Sequence, residues 1–324
     1  MKRFKILGTG TAFPERVLTN AELEKTVDTS DAWIVERTGI RERRIADAET
    51  STSTLGAASV RAACAQAGIE PDSLDAIILA TSSPDTMFPS TACWVQHKLD
   101  IGGMAAFDIG AGCSGFLFAL EVGASLLGTG KRVAVIGAEV MSKVVNWEDR
   151  STCVLFGDGA ATVIIESTDE ERGLLSFNWG SDGRLAPILY QPAGGTQMPA
   201  TAETVAQQLH SVKMQGNPVF KHAVRSMTAA GKAALAAAEL SADDIDLLIP
   251  HQANMRIMEA CRTRLKVPKD KMMSIVHKYG NMSAATIPVA LHEAREQGRA
   301  PADSTIAMAA FGTGLTWAGA VLRV

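Results

Sequence analysis

Five short, mostly apolar runs punctuate the chain: Ala76–Ala80, Ala105–Ile109, Arg132–Gly137, Leu247–Pro250 and Thr305–Ala310. Ala-rich stretches with helical character lie between them. Continuous apolar runs of this length, bounded by turn residues and separated by helices, read as parallel strands covered on both faces. The N-terminal MKRFKILGTG reads as a further strand ending at Gly8, since no long apolar region or small-residue cleavage site follows it. Between Leu185 and Asn217 the sequence is rich in Gly, Pro and Thr and loses its periodicity. It reads as a long surface loop of the functional kind.

The pattern also recurs. AASVRAACAQAGIEPDSLDAIIL at 57–79 and AAGKAALAAAELSADDIDLLIP at 229–250 are each an Ala-rich helix, a turn, and Asp-x-x-Asp leading into an apolar strand. Asp72 and Asp75 match Asp243 and Asp246 at one offset (243 − 72 = 171; 246 − 75 = 171). KRVAVIGAEV from Lys131 resembles DSTIAMAAFG from Asp303. We expect two similar halves, 1–170 and 171–324, divided where STDEERG breaks the apolar pattern. Paired α/β halves place functional groups at the C-terminal ends of their strands.

The 324 residues are 47% hydrophobic and 20% charged, enough to bury a large core. A net charge of −4 argues against general nucleic-acid binding. No run approaches the roughly 18 apolar residues of a membrane span, and a cytoplasmic protein is expected. The five cysteines, Cys64, Cys93, Cys113, Cys153 and Cys261, contain no C-x-x-C pair, so neither a disulfide framework nor a metal site is expected.

Three segments carry candidate chemistry. In Phe107-Asp-Ile-Gly-Ala-Gly-Cys113-Ser-Gly-Phe116 a strand ends, small residues turn, and a helix begins at the cysteine. A thiol there meets the positive end of the helix dipole, which lowers its pKa and favours thiolate. Its own amide is placed to hold an oxyanion. The competing reading is an inert core cysteine. In Leu247-Leu-Ile-Pro-His251-Gln-Ala-Asn254 an apolar strand ends in polar residues, and His251 is either a proton donor or acceptor or a hydrogen-bonded structural histidine. In Tyr279-Gly-Asn281-Met-Ser-Ala-Ala-Thr-Ile-Pro288, Asn281 reads by itself as an ordinary helix cap, though its amide suits an oxyanion hole. His97, His210, His222, His277 and His292 have no such frame and read as structural or surface residues. Gly8-Thr-Gly10 begins like a dinucleotide fingerprint, but its third glycine is missing and Pro14 falls where the helix should run.

Together these segments resemble the ketoacyl synthase III family of thiolase-fold enzymes. The likeness runs from about residue 4 to the last. Its marks are DAWIVERTGIRER at 31–43, CSGF at 113–116, FGDGA at 156–160, PAGG at 192–195, GNPVFKHAV at 216–224, HQAN at 251–254, YGNMSAATIP at 279–288 and FGTGLTWAGA at 311–320. The resemblance implies an α/β thiolase fold, two halves in an α-β-α-β-α layering with mostly parallel central sheets. It implies an acyltransferase that condenses an acyl-CoA primer with malonyl-ACP, with loss of carbon dioxide, to start fatty acid biosynthesis. No cofactor or metal is implied, coenzyme A entering only as the substrate thioester, and a homodimer is expected. Cys113 would be the acylated nucleophile. His251, mostly neutral and acting as a donor, and Asn281 would stabilise the malonyl enolate. The amides of Cys113 and Thr313 would form the oxyanion hole. Trp33, Arg37 and Arg150 would hold the adenine end of coenzyme A, and Gly216, Asn217 and Asn254 its pantetheine arm. Phe88, supplied by the neighbouring subunit, and Phe220 would line the acyl pocket. Arg256 and Lys221 would face the acidic carrier protein. Two positions depart from the family pattern: Thr313 stands where Gly or Ala is usual, and Gly112 replaces an alanine-type neighbour. Both bear on primer choice, as does Met87. A related condensing enzyme making a quinolone, polyketide starter or ketone is the alternative. A non-catalytic thioester-binding protein on this fold is disfavoured, because all three reactive side chains are kept.

Overall fold

The computed structural model describes residues 1–128 and 131–324. A nine-stranded sheet organises it. In chain order its strands are β1 (Lys2–Ala12), β2 (Ala76–Ala80), β3 (Ala105–Ile109), β4 (Arg132–Val140), β5 (Asp158–Ser167), β6 (Gly173–Ser181), β7 (Leu247–Pro250), β8 (Thr305–Gly312) and β9 (Thr316–Arg323). Across the sheet they run β7-β8-β9-β6-β1-β5-β4-β2-β3. The order contains one winding twice. Strands β1 to β5 lie as β3-β2-β4-β5-β1 from edge to centre. Strands β6 to β9 lie as β7-β8-β9-β6, and Met272 bridges Leu248 in parallel where the first winding has its third strand. The windings abut between residues 167 and 173.

The five apolar runs all fall in parallel pairs, β2 with β3 and β4, and β7 with β8. The other five of the eight neighbouring pairs are antiparallel and fill the middle, so the sheet as a whole is mixed. The Asp-x-x-Asp repeat has a physical basis. Asp75 Oδ2 accepts from the Arg132 amide at 2.8 Å, and Asp246 Oδ2 accepts from the Thr305 amide at 2.8 Å. In each half the second aspartate thus fastens the start of one parallel strand to the start of its neighbour.

The main helices are α1 (Asp31–Thr38), α2 (Thr52–Ala67), α3 (Gly115–Leu126), α4 (Gly216–Ala237), α5 (Met255–Leu265) and α6 (Thr286–Glu296). Helix α2 covers β1, β4 and β5 from outside, and α4 covers β6, β8 and β9. Helices α3 and α6 lie between the half-sheets, α3 touching β2 and β4 on one side and β6 and β9 on the other. The result is helix, sheet, helix, sheet, helix. The central core is built on Phe116, Leu117, Leu120, Ile287 and Leu291, all buried. Separate apolar cores lie under α2 and α4.

The glycines that imitate a nucleotide fingerprint are spent on packing. A Cβ on Gly10 would come 2.3 Å from the Ala63 amide nitrogen of α2, and one on Gly8 would come 2.5 Å from the Ala63 carbonyl oxygen. In the other half, a Cβ on Gly319 of β9 would come 2.2 Å from the Ala230 carbonyl oxygen of α4. Each Ala-rich helix therefore lies directly on a glycine of its sheet. We expect Gly10→Ala and Gly319→Ala each to cost about 1–3 kcal/mol through forced backbone movement. Gly183→Ala, where a Cβ meets nothing within 4 Å, should be near neutral. Urea unfolding midpoints check the contrast.

Candidate active site

Three turns at strand ends converge. Cys113 sits in a single 3-10 turn, Gly112–Ser114, between β3 and α3, so α3 proper begins two residues after the thiol. His251 directly follows β7. Asn281 precedes a second 3-10 turn, Ser283–Ala285, which leads into α6. The two 3-10 turns are 171 residues apart, the offset of the aspartate repeat, so Ala284 occupies in the second half the place that Cys113 holds in the first.

Cys113, His251 and Asn281 line one cavity of about 340 Å³. Trp33, Arg37, Gly216, Asn217, Asn254 and Arg256 also line it. Cys113 in addition borders a second, mostly apolar cavity of about 320 Å³ with Ser82, Met141, Val144, Leu189 and Thr313. The thiol therefore lies at the junction of two spaces, with His251 and Asn281 on one side only.

The remaining candidates fall as follows. The Arg37 and Arg150 guanidinium carbons lie 5.4 and 5.1 Å from the centre of the Trp33 ring, a cation–π arrangement at the mouth. Asn254 caps α5, its Oδ1 accepting from the Ile257 amide at 2.9 Å. Lys221 and Arg256 are exposed. Phe88 is 82% exposed and borders neither cavity of its own chain. Phe220 lines the cavity of His251 and Asn281 and does not border the apolar one. Lying one turn past Gly216 and Asn217 on α4, its ring packs beneath Arg256 at 5.3 Å.

The oxyanion candidates are adjacent. Gly112 has φ +54°, and a Cβ there would come 2.5 Å from the Thr313 amide nitrogen and 2.4 Å from its Oγ1. The two departures from the family pattern are thus one feature, since Thr313 fills the space that a side chain at 112 would need.

Asn281 is held firmly. Its amide donates to the Leu155 carbonyl at 2.8 Å, and its own carbonyl accepts from the Gly157 amide at 3.1 Å. Its side-chain Oδ1 accepts from the Ser283 amide at 2.8 Å, which turns Nδ2, a donor, toward the cavity. His251 is 2% exposed, and burial pulls it down to about 3, so the ring is neutral, as expected. Its Nδ1 lies 2.6 Å from Thr286 Oγ1.

The thiol departs from expectation. Burial pushes Cys113 up to about 12; the Ser283 hydroxyl opposes this and the Glu139 carboxylate adds to it. Desolvation of the sulfur outweighs the hydrogen bonds that would favour the thiolate, from Ser283 and from the Cys113 amide. Glu139, Ser283 and Thr286 were not singled out from the sequence. Glu139 is wholly buried at the end of β4, where it accepts from the Ser82 amide at 3.0 Å, Ser83 Oγ at 2.6 Å, Thr81 Oγ1 at 3.1 Å and the Ala284 amide at 3.3 Å. The available signal was an acidic residue closing an apolar strand, costly unless fully hydrogen-bonded. Among the described residues no group of three or more His, Cys, Asp or Glu is placed to hold a metal ion, and no helix is long and apolar enough to cross a membrane.

Comparisons with known proteins agree on one family. Residues 107–183 match the family described as 3-oxoacyl-[acyl-carrier-protein (ACP)] synthase III, and residues 235–324 match its C-terminal counterpart. The beta-ketoacyl-[acyl-carrier-protein] synthase III of Natranaerobius thermophilus is 48% identical, over all of both chains. That of Caldanaerobacter subterraneus subsp. tengcongensis is 50% identical over 98% of this chain and 97% of its own. The crystal structure of 3-oxoacyl-[acyl-carrier-protein] synthase III from Aquifex aeolicus superimposes with a TM-score of 0.91 at 44% identity, covering 99% of this chain and 100% of that one. The chain belongs to the beta-ketoacyl-[acyl-carrier-protein] synthase III family, acyl-transferring condensing enzymes of the thiolase fold.

Proposed function

We propose that this chain transfers an acyl group from coenzyme A to Cys113 and condenses it with malonyl-ACP, starting fatty acid synthesis. The observation that carries this is the single thiol shared by two cavities, with a histidine and an asparagine on one side of it. Trp33 between Arg37 and Arg150 receives the adenine end of the primer thioester, and Gly216, Asn217 and Asn254 receive its pantetheine arm. The Cys113 sulfur attacks the thioester carbon. The amides of Cys113 and Thr313 hold the resulting oxyanion, and coenzyme A departs as the thiol, taking up the proton that Cys113 gives up. The acyl chain occupies the apolar cavity.

Malonyl-ACP then enters where coenzyme A left, with Lys221 and Arg256 toward the acidic carrier. Its carboxylate leaves as carbon dioxide, and the electron pair moves into an enolate. The enolate oxygen accepts hydrogen bonds from His251 and from Asn281 Nδ2. The enolate carbon attacks the acyl carbonyl and expels the Cys113 sulfur as thiolate, which takes up a proton from solvent. Thiol, imidazole and amides meet every need of these steps, so the proposal includes no metal or redox cofactor. It places the protein in the cytoplasm as a homodimer, with Phe88 reaching the partner's acyl cavity.

Incubation with a pool of acyl-CoA thioesters should leave one acyl group on Cys113 by mass spectrometry, and malonyl-ACP should then convert it to β-ketoacyl-ACP. A wild-type protein that yields neither would sink the proposal. Asn281→Ala should still acylate, while condensation falls about 10²–10³-fold through loss of one preformed donor. Because the free thiol is held near 12, iodoacetamide labelling of Cys113 should keep rising through pH 9 without a plateau. Glu139→Gln removes a negative charge that raises the thiol, so the labelling curve should move to lower pH.

A further inference from the structure

We propose that the Ser283 hydroxyl is a further catalytic group, which meets the Cys113 sulfur from the side of the apolar cavity and donates a hydrogen bond to it whenever that sulfur carries charge. This rests on the reading of Cys113 as the acylated nucleophile and names a side chain that serves it.

The first observation concerns the backbone. Ser283 has φ +43°, a left-handed conformation that residues with a Cβ avoid. Its counterpart 171 residues earlier is Gly112, with φ +54°. The two residues open the equivalent 3-10 turns, so the turn itself demands the left-handed conformation. The first half meets that demand with glycine, at no steric cost. The second half holds a serine there, although its backbone tasks need no side chain. The Ser283 amide donates to Asn281 Oδ1, and its carbonyl accepts from Thr286 Oγ1. Glycine would make both bonds equally well. Backbone strain of this kind gathers at active sites, where the side chain that causes it has work to do.

The second observation is where that side chain lies. Ser283 is 2% exposed and lines the apolar cavity beside Cys113. Its hydroxyl is within hydrogen-bond reach of both the Cys113 sulfur and the Glu139 carboxylate. A hydroxyl has one proton to offer them. Glu139 already accepts from Ser82, Ser83, Thr81 and Ala284. A charged Cys113 sulfur has its own amide and faces a repelling carboxylate, and His251 across the junction is neutral. Once charge appears on the sulfur, the proton therefore stabilises more there than at Glu139. That happens twice in the cycle, before the thioester is attacked and when condensation expels the thiolate. No covalent bond to hydrogen breaks; the serine O–H turns from the carboxylate to the sulfur.

Iodoacetamide labelling tests this on the sulfur alone, without substrate. In Ser283→Ala the labelling curve should move to higher pH, with labelling about tenfold slower at a fixed pH. A curve that stays in place would overturn the proposal. So would a shift to lower pH, which would mean that the hydroxyl chiefly accepts from the thiol. Acylation of Cys113 by acetyl-CoA should fall by a similar factor, while decarboxylation of malonyl-ACP, which uses His251 and Asn281, keeps most of its rate. Equal loss of the two, with the labelling curve unmoved, would assign Ser283 to the shape of the turn and overturn the proposal. Ser283→Gly should give the same labelling shift with a urea midpoint no lower than that of wild type, since glycine relieves the backbone. Wild-type protein that forms no acyl adduct defeats the functional reading instead, and leaves the labelling measurement standing.

Discussion

The site depends on a reciprocal close approach between the two halves. A Cβ on Gly312, at the end of β8, would lie 2.4 Å from the Cys113 amide nitrogen, and one on Gly137, within β4, would lie 2.4 Å from the Ala284 carbonyl oxygen. The nucleophile's turn rests on a strand of the second half, and the turn after Asn281 rests on a strand of the first. Backbone this close leaves no room for side chains. It also leaves little freedom for the two turns to shift separately, which is how groups distant in sequence keep a common geometry.

The duplication is therefore symmetric in backbone and asymmetric in chemistry. Equivalent 3-10 turns carry a thiol in one half and an alanine in the other. The second half compensates with His251 and Asn281, and the first supplies Glu139, which ties Ser82 and Ser83 to the Ala284 amide across the seam. Thr313 and Gly112 show a similar exchange at smaller scale, one residue yielding the volume that the other takes up.

Legibility in the sequence followed the reach of each interaction. The runs at 76–80 and 247–250 coincide with strands buried at every position, because uninterrupted apolar residues mark backbone covered on both faces, whereas the run at 105–109, broken by Asp108, is an edge strand that is only partly buried. Strands β4 and β8 continue past the ends read from sequence, to Val140 and Gly312, and the added residues include Glu139 and Gly312. A buried carboxylate looks like a strand end until its donors are visible, and they come from residues 81–83 and 284. The stretch 185–217 reads as loop, yet Leu189–Tyr190 pairs with Lys213–Met214 and closes one wall of the apolar cavity. Thr286 stood inside a quoted motif unassigned, since the imidazole it touches lies 35 residues away.

A reactive sulfur at a junction has a consequence for traffic. Under the proposed reaction, the spent carrier of the first substrate and the loaded carrier of the second share a doorway, while the cargo waits in a side room. Entry of the second must await departure of the first. A cell rich in free coenzyme A would then hold the doorway shut, and the pace of chain initiation would answer to the ratio of empty to loaded carriers without any separate regulatory site.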